Sequence, residues 1–91
     1  MELRPETLTP EQCRAARGLL DMKQAELAAS SGVGLSSIKN FEAGRTGMIA
    51  NNLLAIMRAL QIAGAEFLPE NGSGPGVRLK KGINPRAWRD A

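Results

Sequence analysis

The sequence predicts a mainly α protein, a compact four-helix domain followed by a C-terminal β-hairpin. Three observations carry this prediction. Four stretches between Pro10 and Ala63 repeat apolar residues at helical spacing, and three of them stop at a glycine. After Gly64 the period near 3.6 is lost, and Val77-Arg78-Leu79-Lys80 alternates apolar with charged residues. The apolar content, 43% of 91 residues, is almost wholly aliphatic, with Phe41, Phe67 and Trp88 the entire aromatic set, which favours thin, closely packed helices over a β-sandwich. A chain of this length suffices for one core.

Residues 1–9 read as an N-terminal arm. Thr9 is placed as the N-cap of the first helix, Pro10 suits its first position, and Gln12 completes a capping box. The helix runs to about Leu20, with Cys13, Ala16 and Leu20 on one face. A second helix covers Gln24 to Ser31 and ends at Gly32; a third covers Leu35 to Ala43 and ends at Gly44. The fourth covers Ile49 to Ala63, and its stripe of Ile49, Leu53, Ile56, Met57 and Leu60 is expected to be core. Glu66–Leu68 and Val77–Lys80 then read as two strands joined by the turn formers Pro69 to Gly76, within a hairpin over 65–81. Val77 and Leu79 fall on one face, Arg78 and Lys80 on the other. A disordered linker is the competing reading. Residues 82–91 are expected to form an irregular basic tail.

Composition excludes several kinds of chemistry. There is no histidine and one cysteine, so metal sites of the usual Cys/His kinds, intrachain disulfides and a histidine base are all ruled out. Cys13 reads as a small buried hydrophobe rather than a reactive thiol. The glycine-rich run from Gly72 to Gly76 precedes a strand, so it lacks the context of a nucleotide-binding loop. No enzymatic activity, cofactor or metal is expected. No stretch is apolar over about 18 residues and no secretory leader is seen, so the expectation is a soluble cytoplasmic protein without a membrane partner. The net charge is only +3. Residues 1–70 hold seven Lys/Arg and eight Asp/Glu, while 71–91 hold five and one. An argument for nucleic acid therefore has to rest on where particular side chains sit.

The informative segment is Gln24 to Gly44. Two short helices crossing steeply need a small residue where their backbones approach, which is Ala28, and a turn residue tolerant of left-handed backbone, which is Gly32. The second helix must return an aliphatic side chain to the first, and Ile38 is placed to do so, with Leu27, Val33 and Phe41 completing the buried set. An ordinary helical hairpin within a bundle is the plain alternative. With Ile38 and Phe41 inward, Leu35, Ser36, Lys39 and Asn40 face outward. Asn40 can contact adenine bidentately, Ser36 several base edges, Leu35 a thymine methyl, and Lys39 a guanine or a phosphate. For each of them a solvated surface residue is the alternative.

Gln24-Ala25-Glu26-Leu27-Ala28, Gly32-Val33, Ile38, Phe41-Glu42-Ala43-Gly44 and the run from Leu53 to Leu60, with Ala15-Ala16-Arg17 before them, resemble the Cro/C1-type helix-turn-helix family, the xenobiotic-response-element or lambda-repressor-like regulators of bacterial and phage type. The resemblance spans about residues 10–63. It implies a lambda-repressor-like DNA-binding domain over 10–64, with the third helix in the major groove. Gln24 matches the family's phosphate-binding glutamine, aided by its helix dipole, and Arg45 and Thr46 match backbone-contacting positions. Lys23 stands where relatives often have a Ser or Thr cap; the start of its helix is expected to fray, and its ammonium to meet a phosphate. The resemblance also implies an orienting salt bridge between Arg17 and Glu42. A carboxylate on a DNA-reading helix needs a compensating cation, and an exposed pair would contribute only about 0–1 kcal/mol. Where most relatives carry a fifth helix, this chain has the hairpin.

The leading expectation is a sequence-specific transcriptional regulator, repressor-like, bound as a homodimer to a palindromic double-stranded DNA operator with half-sites roughly 34 Å apart. The dimer would form through the fourth helix, the free strand edges of the hairpin, or both. The alternative is an antitoxin or other protein-interaction module of the same fold, with a toxin on the region beyond residue 70. Arg78, Lys80, Lys81, Arg86 and Arg89 either extend the phosphate contacts, flank a dimer interface or are simply solvated. Trp88 anchors its tail on its own domain or on a partner.

Overall fold

The computed structural model describes residues 7–70 and 72–90. Most of the N-terminal arm, residues 1–6, therefore lies outside the described residues. Four helices are followed by a two-stranded antiparallel sheet: α1 (Pro10–Leu20), α2 (Gln24–Ser31), α3 (Leu35–Glu42), α4 (Ala50–Ala63), β1 (Ala65–Leu68) and β2 (Gly76–Leu79). No helix among the described residues is long and apolar enough to cross a membrane.

The start of α1 has both halves of its capping box. Gln12 N–H donates to Thr9 Oγ1 and Thr9 N–H donates to Gln12 Oε1, each at 3.0 Å. The remaining amide hydrogens of Gln12 reach across the molecule, and one is donated to Gly76 O at 3.1 Å. The first residue of β2 is thereby tied to the first turn of α1.

Gly32 ends α2 at φ 75°, and a Cβ there would meet nothing within 4 Å. The turn therefore demands glycine for its backbone conformation and not for space. Ser31 Oγ accepts from Val33 N–H at 3.1 Å, and α3 starts at Leu35. Leu27, Val33, Ile38 and Phe41 are buried together, with Ala28 packed against them. α3 stops one residue short of the expected Ala43, which is its C-cap, and Gly44 follows in left-handed backbone at φ 73°.

α4 departs from its expected stripe at one end. Leu53, Ile56, Met57 and Leu60 are buried, but Ile49 is 68% exposed. It is the N-cap of a helix that begins at Ala50. Outside the helical turn, its side chain no longer falls on the face that periodicity assigns to it. Met48 packs against the core instead.

The hairpin exists in place of the disordered linker. Its register pairs Glu66 with Arg78 and Phe67 with Val77, and Lys80 N–H extends the ladder to Gly64 O at 2.9 Å. Ala65 and Phe67 are buried, and Val77 and Leu79 pack on the same core. On the outer face Arg78 meets Glu66 at 2.5 Å. In the connecting turn, Glu70 Oε1 accepts from Gly72 N–H at 2.7 Å and Gly74 N–H at 2.9 Å.

At the α4–β1 corner Gly64 has φ 128°, and a Cβ there would stand 3.2 Å from Ile83 Cγ1. Gly64→Ala combines backbone strain with that close approach, and is expected to destabilise the fold by more than about 1 kcal/mol. The check is a lowered urea midpoint at unchanged slope.

The tail differs from the irregular segment expected. Ala87–Asp90 forms a 3-10 turn, and Trp88 Nε1 donates to Leu20 O at 2.9 Å. Trp88 thus anchors the tail on its own domain.

Candidate nucleic-acid interface

The two turns of α3 divide its side chains cleanly. Ile38 is fully buried and Phe41 nearly so, while Ser36, Ser37 and Lys39 are exposed and Leu35 and Asn40 are half-buried. Leu35, Ser36, Lys39 and Asn40 thus lie off the core, as helical periodicity requires once Ile38 is inside.

Two hollows flank α3. One is an open cleft of about 530 Å³ lined by Arg14, Arg17, Lys23, Gln24, Lys39, Glu42 and Ala43. The other, about 260 Å³, is lined by residues that include Ser37, Asn40, Thr46, Met48 and Asn52. Lys23, Gln24 and Lys39 are therefore brought to one side of the helix, and Asn40 and Thr46 to the other. Arg45 is exposed just past the helix and lines neither hollow.

Glu42 is the floor of the first cleft, and its position is not that of a surface carboxylate. The residue is only 2% exposed, with the Arg17 side chain at 18%. Its Oε1 accepts from Arg17 Nη2 at 2.5 Å and from Gln24 Nε2 at 3.0 Å. Its Oε2 accepts from Arg17 Nε at 2.7 Å and from Cys13 Sγ at 3.1 Å. Four donors fill the lone-pair positions of the carboxylate. Arg14 adds a bond from its guanidinium to the Glu42 backbone carbonyl. The Arg17–Glu42 pair is thus buried and bidentate rather than exposed, and joins α1, α2 and the end of α3.

Electrostatics follow from this arrangement. Burial alone would raise the Glu42 carboxyl, but the bonds from Arg17, Cys13 and Gln24, with the Arg17 charge, hold it below its ordinary range. Burial, reinforced by Glu42, pushes the Cys13 thiol far up, so that it stays protonated and acts as a donor. Cys13 is as buried as a small hydrophobe, yet its sulfur also serves as a hydrogen-bond donor. With Glu42, the one carboxylate among its described lining residues, neutralised from within, the cleft presents Arg14, Lys23 and Lys39 as its outward charges.

The start of α2 is closed by a carboxylate that reaches back rather than by a side-chain cap. Lys23 has no acceptor to offer as a cap, but Glu26 reaches back and takes the Lys23 N–H at 2.9 Å. Gln24 spends one amide hydrogen on Glu42 and keeps the second for another acceptor.

Residues 14–67, more than half of the chain, match a helix-turn-helix family model. The chain belongs to the Cro/C1-type helix-turn-helix family. It is accordingly a DNA-binding regulatory fold, and the α2–α3 unit around Gly32 is its helix-turn-helix. A search among curated proteins found no match.

Three residues of this helix-turn-helix surface do not stand out in the sequence. Arg14 lies one turn before Arg17 on α1, and that i, i+3 spacing is the signal that points to it. Ser37 and Asn52 enter the second hollow from α3 and α4. Asn52 emerges only through the fold, because nothing local links it to Asn40.

Proposed function

We propose that the protein is a sequence-specific transcriptional regulator, repressor-like, that lays α3 in the major groove of a palindromic operator and acts as a homodimer. The observation that carries this reading is the division of α3. Ile38 and Phe41 fix the helix to the core, and Ser36, Lys39 and Asn40 are left outward. Asn40 reads adenine, Ser36 and Leu35 supplement it, and Lys39 reaches a guanine or a phosphate. Lys23, Gln24 and Arg14 hold the DNA backbone on one side of α3, and Arg45 and Thr46 follow it past the helix end. Gln24 faces phosphate at a helix N-terminus, where the backbone dipole favours an anion.

Size supports two copies. One copy spans 32 Å at most and presents a single α3. A second reading helix one DNA turn away, at about 34 Å, requires a second chain.

Selection of bound oligonucleotides from a random pool tests the reading, run for the parent and for a Lys39→Ala, Asn40→Ala double variant. A palindromic motif is expected for the parent. Each bidentate pairing with a base is worth about 1–3 kcal/mol of discrimination, so the variant is expected to lose sequence preference while keeping most of its salt-dependent nonspecific binding. A parent that enriches no motif overturns the proposal.

A further inference from the structure

We propose that the C-terminal segment Ile83–Asp90 is a strap that positions the phosphate-binding start of α2, so that DNA affinity depends on Trp88 and Arg89 although neither belongs to the helix-turn-helix. The inference deepens the regulator reading and rests on it for its consequence in DNA binding.

The connection between α1 and α2 is three residues, Asp21 to Lys23, and it is built in a costly way. Asp21 adopts left-handed backbone at φ 53°, the one described non-glycine residue to do so. Its neighbourhood is then held at three successive backbone carbonyls. Leu20 O accepts from Trp88 Nε1 at 2.9 Å, Asp21 O from Arg89 Nη2 at 2.6 Å, and Met22 O from Arg17 Nη1 at 3.0 Å. The Asp21 carboxylate adds ion pairs to Arg89 at 3.3 Å and Arg86 at 3.4 Å. Two of the three carbonyl donors therefore come from the tail, 68 residues further along the chain.

The next two residues are Lys23 and Gln24. The Lys23 N–H is closed by Glu26 and one Gln24 amide hydrogen by Glu42, so the first turn of α2 is fixed to α3 on one side and continues the connection on the other. Arg17 works from both sides, binding Glu42 and the Met22 carbonyl with one guanidinium. The strap holds the opposite end of the same connection. Its own seat is the α4 corner, where Ile83 packs over Gly64, and Arg89 lies 5.1 Å from the Trp88 ring. The basic tail thereby has a specific structural role, with Arg86 and Arg89 both engaged internally by Asp21.

The test compares the full chain with Trp88→Phe, which keeps an aromatic ring and removes the N–H, and with Trp88→Ala. In the free protein, amide exchange at 22–27 is expected to quicken in Trp88→Ala and less in Trp88→Phe, with α3 unchanged. Unchanged exchange at 22–27, or a uniform increase across all helices, overturns the strap whatever happens with DNA. In DNA titrations Trp88→Ala is expected to lose about 2- to 30-fold in affinity. Its log-affinity against log-salt slope is expected to fall by about 0.9 for each phosphate that is no longer neutralised. The same change in a Lys23→Ala, Gln24→Ala background is expected to cost nothing further, and additive losses there overturn the positioning role. If the parent itself selects no DNA sequence, the regulator reading fails, and the exchange measurement still decides the strap.

Discussion

Arg17→Met is expected to destabilise the protein by about 3–5 kcal/mol at neutral pH, because it leaves the buried Glu42 carboxylate without its cation. That is a large part of the roughly 5–15 kcal/mol typical of a domain, so partial unfolding at moderate urea is the expected result. The pH dependence separates this mechanism from lost packing. In the parent, the Glu42 carboxyl lies below its ordinary 4.5. Its contribution to stability is fully present above that pH and is lost as the pH falls through the depressed value. In the variant, burial is opposed only by the bonds from Cys13 and Gln24, so the carboxyl rises and protonation relieves the strain. The gap between the two proteins is therefore expected to narrow as the pH falls, from where the raised carboxyl of the variant takes up its proton through the depressed value of the parent. A gap that stays constant on acidification would refute an electrostatic origin.

Ile38→Ala is expected to cost about 2–5 kcal/mol, the range for truncating a fully buried aliphatic side chain. Ile38 is at 0% exposure and belongs to the cluster that joins α3 to α2. Ile49→Ala is the matched control: the same chemical change at a position 68% exposed is expected to stay within about 0.5 kcal/mol. Urea melts of both variants check the contrast. Equal losses would place Ile49 in the core, where its spacing alone would put it.

That contrast shows where the sequence is informative. The helices are legible because their punctuation is local. Thr9-Pro10 with Gln12 opens α1, and Gly32, Gly44 and Gly64 close or follow the other three. The hairpin is legible from the alternation of Val77-Arg78-Leu79 with turn formers before it. Ile49 misleads because periodicity continues one step past the point where the backbone leaves the helix. The Arg17–Glu42 pair can be expected by resemblance, but its burial cannot, since that depends on Cys13 and Gln24 arriving from two other positions in the fold. The docking of Trp88 is hidden for a simpler reason. The carbonyl that Trp88 meets is one that every residue carries, so no residue type announces it, and the Asp21 carboxylate is the one local sign that a cation of the tail docks here. The outward residues of α3 follow from Ile38 facing inward.

The bond from Gln12 to Gly76 closes a span of 64 residues, and that from Trp88 to Leu20 one of 68. During synthesis the first helix thus waits for residues far down the chain to leave the ribosome before its own surroundings are complete. A nascent chain stopped before the hairpin would lack Ala65 and Phe67 from its core and Gln12 would lack its Gly76 acceptor, leaving apolar surface open to chaperones or to aggregation. Folding of so small a molecule is expected to be late and all-or-none, with its slow step the closure of these long loops rather than the winding of any helix.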